Sequence, residues 1–322
     1  MIIKEISMPL RIQKVEALVK RLPEGHPKAP AIQQDLVKLF SGYKGEKALS
    51  YYLDFLPKKG YYIFHNLRLA SGKYFFQLDY LILTSRFATI VECKNFYGTL
   101  EFDESFKQLI RTANGQEEAF PDPISQAKWH RQQLNAWLQH HNFPYIPIDF
   151  LIIISNPSTI IKTESKSEEI KRHVAHSQIF LERLEELGAK FKKDIINEKG
   201  LRKLSKLLVK EHTPDDVDIL KKYEVDESDI LSGVQCPNCE SFGMLRKQRK
   251  WFCQKCEIFD RNAHWDAVRD YFLLKGFSIT NQQFREFVHL SSIDAASKLL
   301  LRMNLPHSGT NKGRKYHRPP NF

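Results

Sequence analysis

An acidic residue and a lysine lie two positions apart in the stretch TIVECKNFYG, residues 89–98. Its first three residues are strand formers, and side chains at i and i+2 of a strand project from the same face. Glu92 and Lys94 therefore share one face, while Cys93 points to the other, where we expect it to fill the core. A carboxylate and an ammonium at the end of a buried strand suit phosphate chemistry, in which lysine neutralises developing negative charge.

A second carboxylate, Asp79, interrupts the apolar strand QLDYLIL that precedes this stretch. Hairpin pairing of the two strands would bring Asp79 beside Glu92, and carboxylates this close repel each other unless a cation lies between them. Mg²⁺ uses few protein carboxylates and accepts phosphate oxygens for the rest of its shell. Glu46, which opens the preceding helix, could supply a third acidic group. The alternative is a surface ion pair of Glu92 with Lys94, which would contribute little to stability.

Four of the five cysteines form two Cys-x-x-Cys pairs. Cys236 and Cys239 are followed, after thirteen intervening residues, by Cys253 and Cys256. Four thiolates at this spacing predict a closed tetrahedral Zn²⁺ site, which is structural rather than catalytic. The segment resembles a zinc ribbon. Free thiols or a redox pair are the alternative.

Basic residues are concentrated between and after the cysteine pairs. The stretch MLRKQRKWF is predicted to be one strand whose cations contact phosphates, with Trp251 and Phe252 stacking on bases; a solvated ribbon face is the alternative. The cations of this strand are Arg246, Lys247, Arg249 and Lys250. Those of the C-terminal tail are Lys312, Arg314, Lys315 and Arg318.

Two helices precede this tail, with Thr280 and either Ser291 or Ser292 as predicted N-caps. The tail itself, GTNKGRKYHRPP, is predicted to be a basic hairpin. This order resembles a winged helix-turn-helix, in which the helix around 292–302 would read nucleic acid and the tail would form the wing.

The elements before the cysteines alternate in type. A helix is followed by strands in GYYIFHNLRL, YFFQLDYLILTS and FATIVECKNFYGTLEF, then by the amphipathic helix ISQAKWHRQQLNAWLQHH and the apolar strand IDFLIIIS. This order predicts an α/β fold with a mixed sheet flanked by helices. A small zinc ribbon and an all-helical C-terminal module complete the predicted architecture.

Five motifs of this region occur in the order and spacing of a known family. KGEKAL, YYIFHNLRL, QLDYLIL, IVECKNFYG and DPISQAKWHRQQL resemble the nuclease-related domain (NERD) family of the PD-(D/E)xK nuclease superfamily, over about residues 42–155. The matching residues are Gly45, Glu46, Gln77, Asp79, Glu92, Lys94, Asn95, Gly98, Pro123 and Gln126. Two features depart from the pattern: Tyr80 stands where the family often has His, and no Trp follows soon after Gly98.

The resemblance implies a restriction-endonuclease-like fold and a metal-dependent nuclease acting on DNA. Asp79 and Glu92 would bind the metal, Lys94 would assist the attacking water, and Glu46 and Gln126 would complete the site. Products would carry a 5′-phosphate and a 3′-hydroxyl. His65 and His130 are assigned no role.

Composition limits the class of partner. Of the 322 residues, 49 are Lys or Arg and 38 are Asp or Glu, giving a net charge of +11. From position 241 onward there are 15 basic and 6 acidic residues, so most of the excess lies there. Nucleic acid, with DNA favoured over RNA, is the expected partner.

The N-terminus resembles no secretory signal, and the longest apolar run is too short to span a bilayer, so we expect a cytoplasmic protein.

Five segments are therefore predicted. They are a helical extension at 1–41, a nuclease-like domain at 42–211, a linker at 212–233, a zinc ribbon at 234–259 and a basic helical tail at 260–322. The predicted function is a Mg²⁺-dependent phosphodiesterase. The alternatives are a catalytically idle DNA- or RNA-binding protein with a nuclease fold and a scaffold whose zinc module binds protein.

Overall fold

The computed structural model describes residues 1–163 and 167–319. Its internal contacts divide the chain into two compact units. Unit 1 comprises Met1–Pro9 and Lys38–Asp215, and unit 2 comprises Leu10–Val37 and Asp216–Phe322. Each unit is thus assembled from two separate chain segments.

The elements are numbered in chain order. The first half contains β1 (Ile2–Lys4), α1 (Leu10–Arg21), α2 (Ala29–Leu53), β2 (Tyr62–Ser71), β3 (Tyr74–Leu83), β4 (Ala88–Lys94), β5 (Thr99–Asp103), β6 (Gln108–Ala113), β7 (Gln116–Pro121), α3 (Pro123–His140) and β8 (Ile148–Ile154). It continues with β9 (Ile160–Lys162), α4 (Glu168–His173), β10 (Val174–His176), α5 (Phe180–Ala189) and α6 (Glu198–Glu211). The remainder contains α7 (Ile219–Tyr223), β11 (Leu245–Lys247), β12 (Lys250–Phe252), β13 (Phe259–Asp260), α8 (His264–Leu274), β14 (Ser278–Thr280), α9 (Asn281–Val288), α10 (Ile293–Arg302), β15 (His307–Ser308) and β16 (Lys315–His317).

A mixed sheet of six strands forms the centre of unit 1. Its strand order is β1-β2-β3-β4-β8-β10. Antiparallel pairing joins β2 to β3 and β3 to β4, whereas β8 is parallel to both β4 and β10. The predicted mixed sheet is therefore confirmed, and its wholly buried β8 lies next to the strand that carries Glu92 and Lys94.

Helices cover both faces of this sheet. One core joins alternate strand residues to α3 and α6, including Ile90, Ile152 and Leu134. The other joins the intervening residues to α2 and α5, including Val91 and Cys93. Cys93 thus lies in the core, on the opposite side of β4 from Ile90, and the period-two alternation of β4 accounts for both faces.

A second sheet, with strand order β7-β6-β5-β9, departs from the prediction. The stretch FATIVECKNFYGTLEF was predicted to be one strand, but it breaks between Lys94 and Thr99 into β4 and β5. The break requires Gly98, which has φ +93, and a Cβ there would lie 2.4 Å from the carbonyl oxygen of Thr112. The β6–β7 hairpin, absent from the prediction, turns at Asn114 and Gly115, both with positive φ.

Unit 2 is held together by one apolar core. Its cluster joins the cysteine-bearing segment to α8, α9 and α10, through residues such as Trp251, Phe284 and Leu300. The two segments of the unit are also linked by a buried ion pair, in which Arg21 Nε of α1 donates to Asp270 Oδ2 of α8 at 2.7 Å.

The C-terminal region contains the predicted helices and an additional sheet. Thr280 and Ser292 cap α9 and α10 as predicted, the first with a complete capping box. The region is not all-helical, however, because β14, β16 and β15 form a three-stranded antiparallel sheet. These strands have only two or three residues each, too few for a period-two pattern to stand out. The β15–β16 hairpin overlaps the predicted basic hairpin, but its first strand, His307–Ser308, precedes the predicted segment.

Among the residues that the structure describes, no helix has both the length and the apolar character needed to cross a bilayer.

Candidate active site and cysteine cluster

Asp79 lies where the pairing of β3 with β4 stops. The last paired residues are Tyr80 and Val91, and beyond them the backbone N–H of Cys93 donates to Asp79 Oδ2 at 2.8 Å. The carboxylate thus occupies the place that a strand carbonyl would have taken. This contact joins Asp79 to the backbone between Glu92 and Lys94.

A local irregularity in the β2–β3 hairpin accounts for the position of Asp79. Leu78 belongs to the core on one face of the sheet and Tyr80 to the core on the other, although an i, i+2 pair normally shares a face. Opposite them, Asn66 has φ 50°, a left-handed conformation that is uncommon for a non-glycine residue. Asp79 therefore lies at the point where the alternation of β3 reverses.

Glu92 is almost completely buried, with 1% of its surface exposed. Its Oε2 accepts a hydrogen bond from Gln126 Nε2 at 3.0 Å, and its Oε1 lies 2.6 Å from His130 Nδ1. Gln126 and His130 are four residues apart on α3, so they lie on the same helix face. The helix begins at Pro123, where the Asp122 side chain caps it, and this start places Gln126 in its first turn.

Lys94 is joined to the same network. Its Nζ donates to Gln126 Oε1 at 3.0 Å and lies 3.9 Å from Glu92 Oε2. The Gln126 carboxamide therefore bridges the two residues: its oxygen accepts from Lys94 and its nitrogen donates to Glu92. About a fifth of the Lys94 side chain is exposed (22%), so the ammonium can be reached from solvent.

Glu46 reaches the site because α2 approaches the sheet closely. A Cβ at the preceding residue, Gly45, would lie 2.6 Å from Asn95 Cβ and 2.6 Å from Ser155 Oγ. The helix is tied there by Asn95 Nδ2, which donates to the Ser41 carbonyl at 2.8 Å. Glu46 Oε2 then lies 2.6 Å from His65 Nε2 of β2.

The carboxylates disturb one another's ionisation. Burial, followed by the charge of Glu92, raises the pKa of Glu46 to about 7. Burial, followed by the charges of Glu92 and Glu46, raises the pKa of Asp79 well above its usual value, although Lys94 opposes the effect. Burial and the nearby Lys4 lower the pKa of His65 to about 3, so its imidazole is neutral at pH 7. Such carboxylates are stabilised in their charged form by a cation.

The donor set suits a magnesium ion that keeps most of its shell for water and phosphate. Among the residues described, the only group of three or more His, Cys, Asp or Glu ligand atoms within 4.8 Å of one another is the cysteine cluster. The three carboxylates therefore do not form a closed cage. Mg²⁺ is usually bound by one or two carboxylates together with waters and substrate phosphates, and hard oxygen donors are present at Asp79 and Glu92.

The structure brings together all five residues predicted for this site, and it adds two histidines. His65 and His130 were assigned no role from the sequence, yet each contacts one of the glutamates. A sequence signal existed for His130, since it follows Gln126 by one helical turn. None existed for His65, because its contact with Glu46 joins a strand to a helix nineteen residues earlier.

The four cysteines of the paired motifs lie together in unit 2. Their sulfur atoms lie within 4.8 Å of one another, and Sγ atoms are 3.5 Å apart in the pairs Cys236–Cys256 and Cys239–Cys253. Tetrahedral zinc with Zn–S bonds of about 2.3 Å places sulfurs roughly 3.8 Å apart, so the set fits this ion. The Ser241 hydroxyl, with the Cys256 amide, lowers the pKa of Cys253 to about 6, which favours the thiolate that a metal binds.

The two Cys-x-x-Cys turns have the same backbone geometry. Glu240 and Glu257, which follow them, have φ 58° and 59°. Their N–H groups donate to the carbonyls of Cys236 and Cys253 at 3.0 and 2.9 Å. Together with the sheet of β11, β12 and β13, the turns support the predicted zinc ribbon.

The basic stretch between the cysteine pairs is a hairpin rather than the predicted single strand. β11 and β12 are antiparallel, and the turn consists of Gln248 and Arg249, with φ 48° and 62°. Lys247 and Arg249 are exposed, whereas Arg246 and Lys250 are half-buried. The predicted stacking of Trp251 on bases is wrong, because this ring is 1% exposed and donates from Nε1 to His264 Nδ1 at 3.1 Å.

The basic residues of the C-terminal hairpin differ in their surroundings. Lys315 is exposed and Arg314 is half-buried, whereas the side chain of Lys312 lies outside the part that the structure describes. Arg318 is already engaged, since its Nη2 donates to Asp216 Oδ2 at 2.8 Å and its guanidinium lies over the Phe277 ring. The surface therefore presents fewer free cations than the sequence suggests.

Comparison with known proteins gives one family. A family model described as the nuclease-related domain (NERD) matches residues 41–155, roughly a third of the chain. The matched segment contains Glu46, Asp79, Glu92, Lys94 and Gln126. No curated protein and no solved structure matched the chain.

Proposed function

We propose that unit 1 is a metal-dependent nuclease that hydrolyses phosphodiester bonds in DNA. The observation that carries the proposal is the convergence of Asp79, Glu92 and Lys94 at one end of β4. The amide of Cys93 holds the first, and Gln126 bridges the other two. This segment is the one that matches the nuclease-related domain.

Mg²⁺ is the metal that the donor set favours, with Asp79 and Glu92 as its protein ligands. When bound it would neutralise charge on the phosphate and lower the pKa of a water ligand. The raised pKa values of Asp79 and Glu46 support a cation here, because positive charge would relieve the repulsion between these carboxylates.

The other residues have roles that follow from their contacts. The Lys94 ammonium is held by Gln126 within reach of solvent, so it can donate to a phosphate oxygen and stabilise the charge that grows in the transition state. His130 Nδ1–H donates to Glu92 Oε1 and orients that carboxylate, as outer residues orient metal ligands in other proteins. Glu46 adds a third negative group, itself held by His65.

Unit 2 is proposed to bind zinc and to hold nucleic acid. Zn²⁺ bound by Cys236, Cys239, Cys253 and Cys256 would be structural, because four protein sulfurs leave no open position. Lys247 and Arg249 at the β11–β12 hairpin and Lys315 at the C-terminal hairpin are the exposed cations placed to contact phosphates.

A catalytically idle nucleic-acid-binding protein is the second candidate, and one observation favours it. Both oxygens of Glu92 and the ammonium of Lys94 already have partners within the protein. A network so well satisfied could persist for stability alone. Activity in the presence of a divalent metal distinguishes the two candidates.

The test is cleavage of linear, circular and single-stranded DNA with and without Mg²⁺. Wild type should cleave only with the metal and leave 5′-phosphate ends. Asp79→Ala should abolish cleavage, and Lys94→Ala should slow it by about 100-fold or more, the usual effect of removing a charge-stabilising donor. Lys58→Ala is the matched control, since Lys58 is exposed in the loop after α2. Cleavage that survives both site substitutions would come from a contaminant, and a wild type that cuts none of these substrates would favour the idle binding protein.

A further inference from the structure

A cavity opens directly beside the proposed catalytic residues. Its volume is about 330 Å³, and Asp79, Gln126 and His130 form part of its wall. The rest of the wall includes Gln133 and the aromatic residues Phe75 and Trp129. Whatever enters this cavity therefore lies next to the carboxylate proposed to bind the metal.

Phe76, which also lines the cavity, belongs to the core, but Trp129 and Phe75 are partly open to solvent. Trp129 of α3 is 60% exposed and Phe75 of β3 is 44% exposed. Tyr74, which precedes Phe75 in the β2–β3 hairpin but does not line the cavity, is 65% exposed. Trp129 and Phe75 thus leave about half of their surface uncovered beside the cavity, and a planar ligand that stacks on them would bury it.

One polar atom of the cavity lacks a partner. The Oε1 atom of Gln133 is buried and has no hydrogen-bond partner among the described residues. Leaving a buried acceptor unsatisfied is destabilising. One face of α3 carries Gln126, Trp129, His130 and Gln133. The unpaired oxygen of Gln133 therefore lies on the same helix face as Gln126 and His130, which contact Glu92. A ligand with an N–H group would satisfy it.

Cations accompany the aromatic rings along the hairpin. The guanidinium carbon of Arg68 lies 3.9 Å from the centre of the Phe75 ring, and Lys73 Nζ lies 5.1 Å from the centre of the Tyr74 ring. Alternating cations and exposed aromatic rings are the pattern by which proteins hold single-stranded nucleic acid, with rings stacking on bases and cations contacting phosphates.

We infer that this cavity holds an unpaired nucleobase next to the scissile phosphate, so that the substrate is single-stranded nucleic acid or an unpaired end of a duplex. The inference rests on the proposed function for the identity of the site. In an intact duplex both faces of each base are covered by stacking, so Trp129 could not stack on a base without unstacking it. An unpaired base offers a free face and free N–H groups.

The experiment measures binding of the full chain to a fluorescent 15-nucleotide oligothymidylate and to a blunt hairpin duplex, without added Mg²⁺. Trp129→Ala should weaken binding of the single strand about 5- to 100-fold, the loss expected from one stacked base, and should change duplex binding less than twofold. Tyr145→Ala is the matched control. Tyr145 is an exposed aromatic residue (69%) that precedes β8, at the opposite end of the sheet from Lys94.

A second measurement is local and independent of any binding by unit 2. An oligonucleotide carrying 5-iododeoxyuridine is cross-linked by light, and the attached peptides are identified by mass spectrometry. Adducts should occur at Trp129, Phe75 or Tyr74. Adducts confined to other segments, or a Trp129→Ala protein that binds the single strand as wild type does, would overturn the inference. Neither readout needs cleavage, so a protein that binds in this way but never cuts would overturn the proposed function and leave the cavity's assignment standing.

Discussion

At the site, two glutamates are each held by a histidine from a different element. His65 of β2 contacts Glu46, and His130 of α3 contacts Glu92. Both histidines are at most 9% exposed. These contacts fix the orientation of carboxylates whose mutual repulsion would otherwise drive them apart.

Glu46 gives a prediction about pH. Its pKa is about 7 in the folded protein and 4.5 as a free side chain, so the stability it contributes is full below pH 4.5 and is lost as pH rises through 7. Without Mg²⁺, Glu46→Gln should therefore stabilise the protein by less than about 1 kcal/mol at pH 5 and by roughly 3 kcal/mol at pH 8. Urea unfolding at the two pH values measures this.

The matched control is Glu185→Gln, at an exposed carboxylate of α5. It should change stability equally at both pH values. If Glu46→Gln gave the same shift at pH 5 and pH 8, the proposed burial of negative charge at this site would be wrong.

Single residues of the site could be predicted when their signal was local. Glu92, Lys94 and Asp79 are recognisable because charged groups interrupt or end apolar strands. The contacts of His65 and His130 could not be predicted in the same way, because each depends on which helix packs over which strand. Trp251 illustrates the opposite error: its neighbours in sequence are basic, but its ring is covered by the unit 2 core, and packing of that kind leaves no local pattern.

At the scale of elements, the close approach of α2 to the sheet positions Glu46. Two glycines of this helix allow the approach to be tested. Gly45→Ala would place a Cβ 2.6 Å from atoms of Asn95 and Ser155, so it should destabilise unit 1 by about 1–3 kcal/mol and lower Mg²⁺-dependent cleavage by displacing Glu46. Thermal unfolding and the cleavage assay measure the two effects.

Gly42→Ala is the matched control in the same helix. A Cβ at Gly42 meets nothing within 4 Å, so the substitution should stabilise the helix by up to about 1 kcal/mol and leave cleavage unchanged. Equal effects of the two substitutions would mean that helix propensity, and not the contact with the sheet, governs this position.

The elements that escaped prediction are short or depend on partners distant in sequence. The β6–β7 hairpin had a local signal, because Asn114–Gly115 favours a tight turn with two positive φ angles. The strand β10 had no local signal. Its three residues pair in parallel with β8, and the sequence of neither strand alone indicates such a pairing. The long strands of the sheet, by contrast, carry clear periodic patterns, and these were predicted. The helix α2 was not predicted as one element: it runs unbroken from Ala29 to Leu53 across the boundary predicted at residue 41, so Glu46 lies inside the helix and does not open it.

At the scale of the whole molecule, the two units should respond differently to the loss of a cysteine. For unit 2 we expect zinc to be essential, since the cysteines Cys236 and Cys253 belong to its apolar core. Cys239→Ser should reduce bound zinc from one equivalent to nearly none and lower the unfolding temperature of unit 2. Metal analysis and calorimetry measure these changes.

Cys93→Ala provides the comparison. Cys93 lies in the core of unit 1, so this variant should keep its zinc while losing some stability in unit 1. Full zinc content in Cys239→Ser would refute the four-cysteine site. An unfolding curve in which the unit 2 transition is unmoved by zinc removal would refute its structural role.

The assembly of unit 2 from two distant segments has a consequence for synthesis on the ribosome. Arg21 is buried against Asp270, yet residues 38–215 of unit 1 are made between the two segments of unit 2. At about 5–20 residues per second, α1 waits on the order of ten seconds or more with its apolar face uncovered while unit 1 can already fold. Nascent chains stalled before residue 270 should therefore recruit chaperones to α1, and emergence of the second segment of unit 2 should release them.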